Sequence, residues 1–561
     1  MADLAPLIAQ ARAWAADDPD RQTRAQLEGV LAAAEAGDDT ASADLADRFA
    51  GMLAFGTAGL RGALGAGPNR MNRSVVICAA AGLTAYLSND AEPPRPQPFV
   101  VIGYDARRNS DVFARDTAAV VTGAGGRAAI LPRPLPTPVL AYAVRALGAD
   151  AGVMVTASHN PADDNGYKVY AGDGAQIVPP TDALIAARIA QVATVADVPR
   201  ADAGWEVLGE EILERYLAGI ATVVRPGSPR DLVVVHTAMH GVGTETVRRA
   251  FVAAGFDEPI PVAAQADPDP AFPTVAFPNP EEPGAMDLAL ELAEQTGPDL
   301  VIASDPDADR CAAAVAGPGG WRMLRGDEVG ALLGAHILER GLPPGATVAN
   351  SIVSSRLLAA MCAAAHVDHA ETLTGFKWIA RTPGLAYGYE EALGYCVAPG
   401  QVLDKDGVSA AVLLAELAAE RKAIGLTLLE LLDELAIKHG VHATDSFSVR
   451  VADLSLIGGI MSRLRDEPPT VLAGRPVVSG VDLAEGVGGL PPTDGLRYLL
   501  DDDSRAIVRP SGTEPKLKVY LEVIEPVGGP AYLAGARQRA AERLAALRAD
   551  LTGLTEAPSV S

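Results

Sequence analysis

The stretch FVVIGYDARRNSDVFARDTAAVVTGAGGRAAILPRPLPTPVLAYAVRALGADAGVMVTA, residues 99–157, alternates two textures. FVVIGYD, RAAILP and AGVMVTA are short apolar runs, the pattern of buried strands. NSDVFARDTAAVVTGAG and PVLAYAVRALG are longer, and their spacing predicts helices. Strands that alternate with helices argue for parallel βαβ units. The alternation restarts at DLVVVHT (231–237), runs through a helix near 243–254 and reaches DLVIASD (299–305). It restarts again with EVGALLGAHILERG, TVANSIV and the helix after Val408. Upstream, residues 1–50 read as helices rich in Ala, Leu and Asp. From about residue 441 the texture changes: SFSVRVAD, GLRYLLDD, RAIVRPSG and KLKVYLEVIE read as strands, with helices near 454–466 and 530–549.

The chain is therefore expected to be α/β, with three α/β domains carrying mixed sheets and a C-terminal α+β domain. The expected boundaries are 1–210, 211–322, 323–440 and 441–561. No internal sequence repeat relates the blocks. RPGSPR (225–230) and GPGG (317–320) read as linkers, whereas DPDPAFPTVAFPNPEEPG (267–284) is long enough to be a functional or packing loop. At 561 residues the chain has room for roughly three or four domains.

Apolar residues make up 49% of the chain and aromatics only 5%, which suits cores built from Ala, Val and Leu. The formal net charge of −25 disfavours nucleic acid and anionic membranes as partners. An anionic substrate would need basic residues gathered locally. Cys78, Cys311, Cys362 and Cys396 are scattered and form no C-x-x-C, so neither a zinc ribbon nor a disulfide framework is expected. A reduced, cytoplasmic setting fits that usage. The N-terminal residues show no signal-peptide pattern, and no apolar run reaches membrane-spanning length.

DPDADR, residues 305–310, follows the apolar run LVIAS directly. Open α/β sheets place ligands at the carboxyl ends of their strands. Three alternating carboxylates there suit Mg²⁺, with room for a phosphate oxygen. Arg310 occupies the position where an EF-hand requires glycine, so calcium is disfavoured. A solvated acidic turn is the bland alternative. In TASHNP, Ser158 stands beside His159 at another strand end. Adjacent side chains usually diverge, and no G-x-S-x-G elbow surrounds the serine, so a hydrolase triad fits poorly. Ser158 reads equally as a phosphoryl carrier or as a turn residue before Asn160-Pro161. RPSGTEPK (509–516) offers a guanidinium, hydroxyls and backbone N–H groups for a phosphate, or an ordinary turn. FGTAGLRG (55–62) adds Arg61 in a glycine-rich turn. YEEALGY (389–395) presents Glu390 and Glu391, either as acceptors for sugar hydroxyls or as a capped helix start.

Together, FGTAGLRG, TASHNP with a lysine ten residues past the serine, DPDADR, TGFKW, YEEALGY, KDG and RPSGTEPK resemble the α-D-phosphohexomutase family in order and spacing. The resemblance spans residues 55–518. It implies four domains around a central cleft and interconversion of sugar 1- and 6-phosphates through a phosphoserine and a sugar bisphosphate. Glucose 1-phosphate is the first substrate it suggests and mannose phosphate the next. It implies that Ser158 carries the phosphate and that Asp305, Asp307 and Asp309 bind Mg²⁺ together with it. Arg61, His159, Lys168 and Arg310 would line the reaction centre, with Lys377 and Lys405 also in the cleft. Glu390 and Glu391 would hold sugar hydroxyls, while Arg509, Ser511, Gly512 and Thr513 would grip the non-reacting phosphate. A bisphosphate such as glucose 1,6-bisphosphate would act as activator. Many hexose-specific members have serine after the acid pair, whereas Ala392 stands here. The forms DNGYKVY, TGFKW and EEALGY are similar to a branch with phosphopentomutase-like enzymes and some bacterial phosphoglucomutases, which makes pentose 1-phosphates the alternative substrate. A Mg²⁺-dependent phosphatase with an aspartate nucleophile, or a sugar-phosphate-binding protein without turnover, are the competing classes.

Overall fold

The computed structural model describes residues 4–450, 454–511 and 516–556. Packing gathers the chain into two compact units, Met1–Leu324 with Gly394–Glu420, and Arg325–Leu393 with Arg421–Ser561.

The first unit holds two mixed sheets. One has the order β1-β5-β4-β2-β3-β6, with β1 Leu60–Ala63, β2 Phe99–Tyr104, β3 Arg127–Ile130, β4 Ala151–Val155, β5 Asp164–Ala171 and β6 Glu206–Val207. β2 pairs in parallel with β3 and β4, as the sequence texture predicts. β5 turns back antiparallel onto β4, and β1 pairs antiparallel with β5. Every residue of β4 is buried, which requires cover on both faces. Helices Arg73–Asn89 and Ser110–Gly123 contribute to the core on one side, and Thr137–Leu147 packs on β2 and β4. The second sheet has the order β11-β10-β9-β7-β8, with β7 Val234–Thr237, β8 Ile260–Pro261, β9 Leu300–Ala303, β10 Ala312–Gly317 and β11 Gly320–Met323. It repeats the first sheet's device: β7 and β9 are parallel, and β10 returns antiparallel beside β9. In both sheets the loop at the reversal carries polar residues at the carboxyl end of a parallel strand, β4 in one and β9 in the other.

Residues 4–50 hold the helices Ala5–Asp17, Arg21–Glu35 and Asp39–Arg48, with a small core of their own around Leu27, Leu31, Leu45 and Phe49.

In the second unit β12 (Thr347–Ser351) lies in parallel between β13 (Asp368–Thr372) and β14 (Leu385–Glu390). Beyond it, strands Val441–Arg450, Lys516–Glu525, Arg505–Pro510, Leu496–Leu500, Arg475–Asp482 and Val471–Leu472 form an antiparallel sheet in that order. Helix Leu533–Thr555 packs on its first two strands and closes the core with Leu544, Leu547 and Leu551. This is the α+β texture expected from about residue 441.

Candidate active site

Ser158 sits on the loop after β4 with φ of +52°, in the left-handed region that non-glycine residues seldom occupy. Its Oγ donates to Asp305 Oδ2 at 2.7 Å and lies 3.2 Å from His159 Nδ1. The expected divergence of the adjacent side chains does not occur at this left-handed residue. The hydroxyl nevertheless makes its shorter contact with the aspartate.

Asp305, Asp307 and Asp309 share the loop after β9, all at most 1% exposed, with carboxylate oxygens that lie within 4.8 Å of one another. Lys168, delivered by β5, donates to Asp307 Oδ2 at 2.7 Å and to Asp309 Oδ2 at 2.9 Å. Lys405 reaches Asp309 Oδ2 at 3.1 Å. Thr137 Oγ1 donates to Asp307 Oδ2 at 2.6 Å. Arg310 closes the loop on itself: its backbone N–H donates to Asp305 Oδ1 at 3.1 Å, and its Nε is 3.8 Å from Asp305 and 3.7 Å from Asp309. Arg61 pairs opposite Gly166 on β5 and donates from Nη1 to Asn160 Oδ1 at 3.1 Å. Two glycines permit these approaches. A Cβ on Gly59 (φ +75°) would lie 1.8 Å from the Tyr167 carbonyl oxygen, and one on Gly407 would lie 2.2 Å from that of Arg310. The latter contact brings the KDG segment under the aspartate loop, where Asp404 is fixed by Tyr170 Oη at 2.9 Å and Gln176 Nε2 at 2.8 Å.

Burial, followed by the charges of Asp307 and Asp309, pushes the Asp305 carboxyl well above the ordinary range. Burial acts the same way on Asp307 and Asp309, but it is outweighed jointly by Lys168 and Thr137 at Asp307 and by Lys168, Lys405 and Arg310 at Asp309, which hold them below that range. Asp307 Oδ1 and Asp309 Oδ1 are buried and accept no hydrogen bond among the described residues. Three hard oxygen donors, two of them with an unsatisfied atom and one strained toward neutrality, are what a divalent cation would relieve. The residues therefore fit Mg²⁺.

Sequence reasoning passed over Arg107. Its guanidinium is buried and donates to four carbonyls of the Ser158 loop: Nη2 to Ser158 and Asn160, each at 2.6 Å, and Nη1 to Pro161 at 2.7 Å and Asp164 at 3.2 Å. Thr137 and Asp404 were likewise missed. Ordinary polar residues at helix and loop starts carry no sequence pattern that marks them.

A second cluster belongs to the second unit. β14 ends at Glu390, so the acid pair lies at a strand end and not at a helix start. Glu391 Oε2 accepts from Ser351 Oγ at 3.0 Å, at the end of β12, and from Ser354 Oγ at 3.1 Å, three residues beyond it. Tyr520 lies in the field of Glu391, Arg509 and Glu390, and burial first, then Glu391, raises its phenol far above the usual range. The buried Nε–H of Arg509 has no hydrogen-bond partner among the described residues, as a phosphate-gripping arginine would present it. Ser511 N donates to Lys516 O at 2.8 Å. Gly512 and Thr513 lie outside the described residues. Lys377 falls in the short helix Phe376–Ile379 that follows Gly375.

The chain matches the four models of the phosphoglucomutase/phosphomannomutase family: alpha/beta/alpha domain I over residues 52–196, domain II over 214–319, domain III over 325–438 and the C-terminal domain over 464–526. It is 47% identical over 459 residues to a Haemophilus influenzae protein named "Probable phosphomannomutase", covering 81% of this chain and 93% of that one. A Schizosaccharomyces pombe protein named "Probable phosphoribomutase" is 35% identical over 553 residues, covering 91% and 92%. A phosphoglucomutase/phosphomannomutase family protein from Burkholderia thailandensis shares the fold with a TM-score of 0.65 and 21% identity, covering 87% of this chain and 97% of that one. The chain belongs to the phosphoglucomutase/phosphomannomutase family. It is an intramolecular phosphotransferase of the isomerase class. Among the described residues no helix is long and apolar enough to cross a membrane.

Proposed function

We propose that the chain is a phosphosugar mutase that interconverts glucose 1-phosphate and glucose 6-phosphate, with Ser158 as the phosphoryl carrier. The observation that carries this reading is the 2.7 Å contact of Ser158 Oγ with the first of three buried, mutually repelling aspartates. Phosphoserine 158 transfers its phosphoryl group to a sugar hydroxyl: a bond forms from the sugar oxygen to phosphorus, and the bond from phosphorus to Ser158 Oγ breaks. The sugar hydroxyl gives up its proton and Ser158 Oγ gains one, with His159 Nδ1 the basic nitrogen near that oxygen. The resulting bisphosphate returns its other phosphoryl group to Ser158, and the isomeric monophosphate leaves. Asp305, Asp307 and Asp309, with the Ser158 oxygen, would hold Mg²⁺, which supplies positive charge against the phosphoryl oxygens. Arg61, Lys168, Arg310 and Lys405 add fixed cations around the same group. Glu390, Glu391 and Lys377 bind the sugar, and Arg509, Ser511, Gly512 and Thr513 grip its other phosphate. Glucose 1,6-bisphosphate serves as activator by recharging Ser158.

Domains bounded at 210, 322 and 440 form part of the same proposal. So does a cytoplasmic setting, as the four buried, unpaired cysteines favour. Pentose 1-phosphates are the second reading, favoured by the relative named phosphoribomutase and by Ala392 beside the acid pair. An aspartate nucleophile is disfavoured, since Asp305 already accepts the serine hydroxyl and Asp307 is held by Lys168 and Thr137.

The test is mutase turnover of glucose 1-phosphate with Mg²⁺ and glucose 1,6-bisphosphate, alongside phosphosite mapping. Activity is expected to vanish in excess EDTA and in Ser158→Ala. Active enzyme with no phosphate on Ser158 would falsify the carrier assignment.

A further inference from the structure

Arg107 lies at the start of the loop that follows β2, between a buried aspartate and the Ser158 loop. Its side chain is 1% exposed, and its Nε faces Asp105 Oδ2 at 3.4 Å. Asp105 is itself tied down by the Arg107 N–H at 2.9 Å and by Ser110 Oγ at 2.7 Å. From this base the guanidinium fork reaches the carbonyls of Ser158, Asn160, Pro161 and Asp164, four of the seven residues from 158 to 164. One face of the guanidinium is covered by the ring of Phe272, with 4.9 Å from Cζ to the centroid. Phe272 is 4% exposed and belongs to the proline-rich loop 267–284. Its own backbone takes the left-handed region, held by N–H to Asp269 O at 3.1 Å and by Val275 N–H to Phe272 O at 3.0 Å.

We propose that Arg107, clamped between Asp105 and Phe272, is a positioning residue that fixes the backbone of the loop 158–164 and so sets the register of Ser158 Oγ against the aspartate loop. This rests on the reading of Ser158 as phosphoryl carrier. The geometry gives two reasons. Ser158 holds an unfavourable backbone conformation, and such a residue persists only when its surroundings over-determine it. The Arg107 contact to the Ser158 carbonyl fixes the peptide that follows that strained φ. Second, the carbonyl oxygens of Ser158, Asn160, Pro161 and Asp164 all accept from one buried positive charge, so a single guanidinium ties both ends of the loop together. The planar fork with separate donors on two terminal nitrogens is what spans four acceptors; the single ammonium of a lysine cannot. The proline-rich loop thereby gains a role as the lid over this guanidinium.

The experiment compares wild type, Arg107→Lys and Phe272→Leu as purified full-length proteins. Transfer from glucose 1,6-bisphosphate to Ser158 is followed by intact-protein mass spectrometry, steady-state mutase kinetics with glucose 1-phosphate are measured, and each variant is checked by thermal unfolding. Arg107→Lys is expected to lower kcat and the serine phosphorylation rate at least 30-fold with KM within about threefold of wild type, and Phe272→Leu to lower both rates several-fold. A wild type that never gains phosphate on Ser158 defeats the carrier reading, and the proposal with it. A wild type that does, beside an Arg107→Lys protein that is phosphorylated and turns over at the same rates, overturns the proposal alone. If Arg107→Lys fails to fold, Phe272→Leu decides: a folded variant with unchanged rates overturns it, and lowered rates at unchanged KM support it.

Discussion

At the scale of single residues, identical chemistry yields opposite behaviour according to what surrounds it. Asp309 and Asp327 are both carboxylates in enclosed surroundings, yet the first is held below the ordinary range by lysines. The second, near the start of helix Gly326–Arg340, is pushed up to about 7 by burial, with Glu391 and Glu522 adding like charge. Asp327 Oδ1 accepts from Ser355 N at 2.7 Å and Tyr389 Oη at 3.0 Å. An unfolded aspartate titrates at about 3.9. Because the folded value is the higher one, the native state binds the extra proton between the two values. This group's contribution to stability is then complete below about pH 4 and declines as pH rises through about 7. Asn at this position keeps both acceptor contacts and does not titrate. The stability of wild type relative to Asp327→Asn is therefore expected to fall between pH 4.5 and 7.5, by no more than about 1.4 kcal/mol per pH unit. Denaturation midpoints of the two proteins, measured across that range, check it; a constant difference would reject the assignment.

Elements differ in how openly the sequence declares them. β2, β4 and β9 are apolar runs and legible at once. β1 and β5 are not: LRGA has four residues, and DNGYKVYA mixes Asp, Asn and Lys into a strand whose six central residues are buried. Asn165 and Lys168 are buried with partners: Lys168 answers Asp307 and Asp309, and Asn165 Nδ2 donates to Arg108 O at 2.9 Å. The aspartate loop was readable because three carboxylates alternate after an apolar strand. Arg107 was not, since ARRN offers two adjacent arginines and only tertiary packing decides which one turns inward. The C-terminal sheet shows the same dependence on packing. Glu522, 1% exposed in strand Lys516–Glu525, accepts from Ser355 Oγ at 2.9 Å, Arg356 N at 2.7 Å and Arg356 Nε at 2.6 Å, with Arg505 at 3.2 Å. It thus ties that strand to the segment after β12 within one unit. Burial resists its charge, but Arg505, His442 and Arg356 prevail and hold the carboxyl far below its usual range. Glu522→Gln should take from Arg356 its 2.6 Å counter-charge and leave Arg505 with only Glu371 at 3.5 Å, destabilising this unit by about 3 kcal/mol. Hydrogen exchange should then quicken in residues 441–525 and 347–356 while 99–171 keeps its protection. Uniform protection, or loss in both units alike, would contradict this division.

For the whole molecule, the question is what separates one sugar from another when the phosphoryl chemistry is common to all of them. On the proposed reading the chemistry needs Ser158, the three aspartates and their lysines, none of which senses the number of carbons in the ring. Selection then falls to groups that touch hydroxyls, and the acid pair is the strongest candidate. Carboxylates only accept, so each oxygen turned to the substrate requires a hydroxyl that donates. Ser351 and Ser354 already occupy Glu391 Oε2, which fixes that side chain and limits what it can offer a sugar. A site acid left unpaired by a missing hydroxyl is costly, which is how such a pair discriminates. Ala392 withholds a further hydroxyl from the same turn. The expected outcome is an enzyme broader than a dedicated hexose mutase, with glucose 1-phosphate the best hexose and ribose or deoxyribose 1-phosphate also turned over. Ala392→Ser should raise the ratio of hexose to pentose kcat/KM by about tenfold, the worth of one net hydrogen bond of about 1.4 kcal/mol. Glu390→Gln should cut turnover of glucose 1-phosphate while phosphorylation of Ser158 by glucose 1,6-bisphosphate is less affected. Values of kcat/KM across hexose and pentose 1-phosphates for the three proteins make the comparison. Strict glucose specificity in the wild type, left unchanged by the added serine, would place sugar choice elsewhere in the chain.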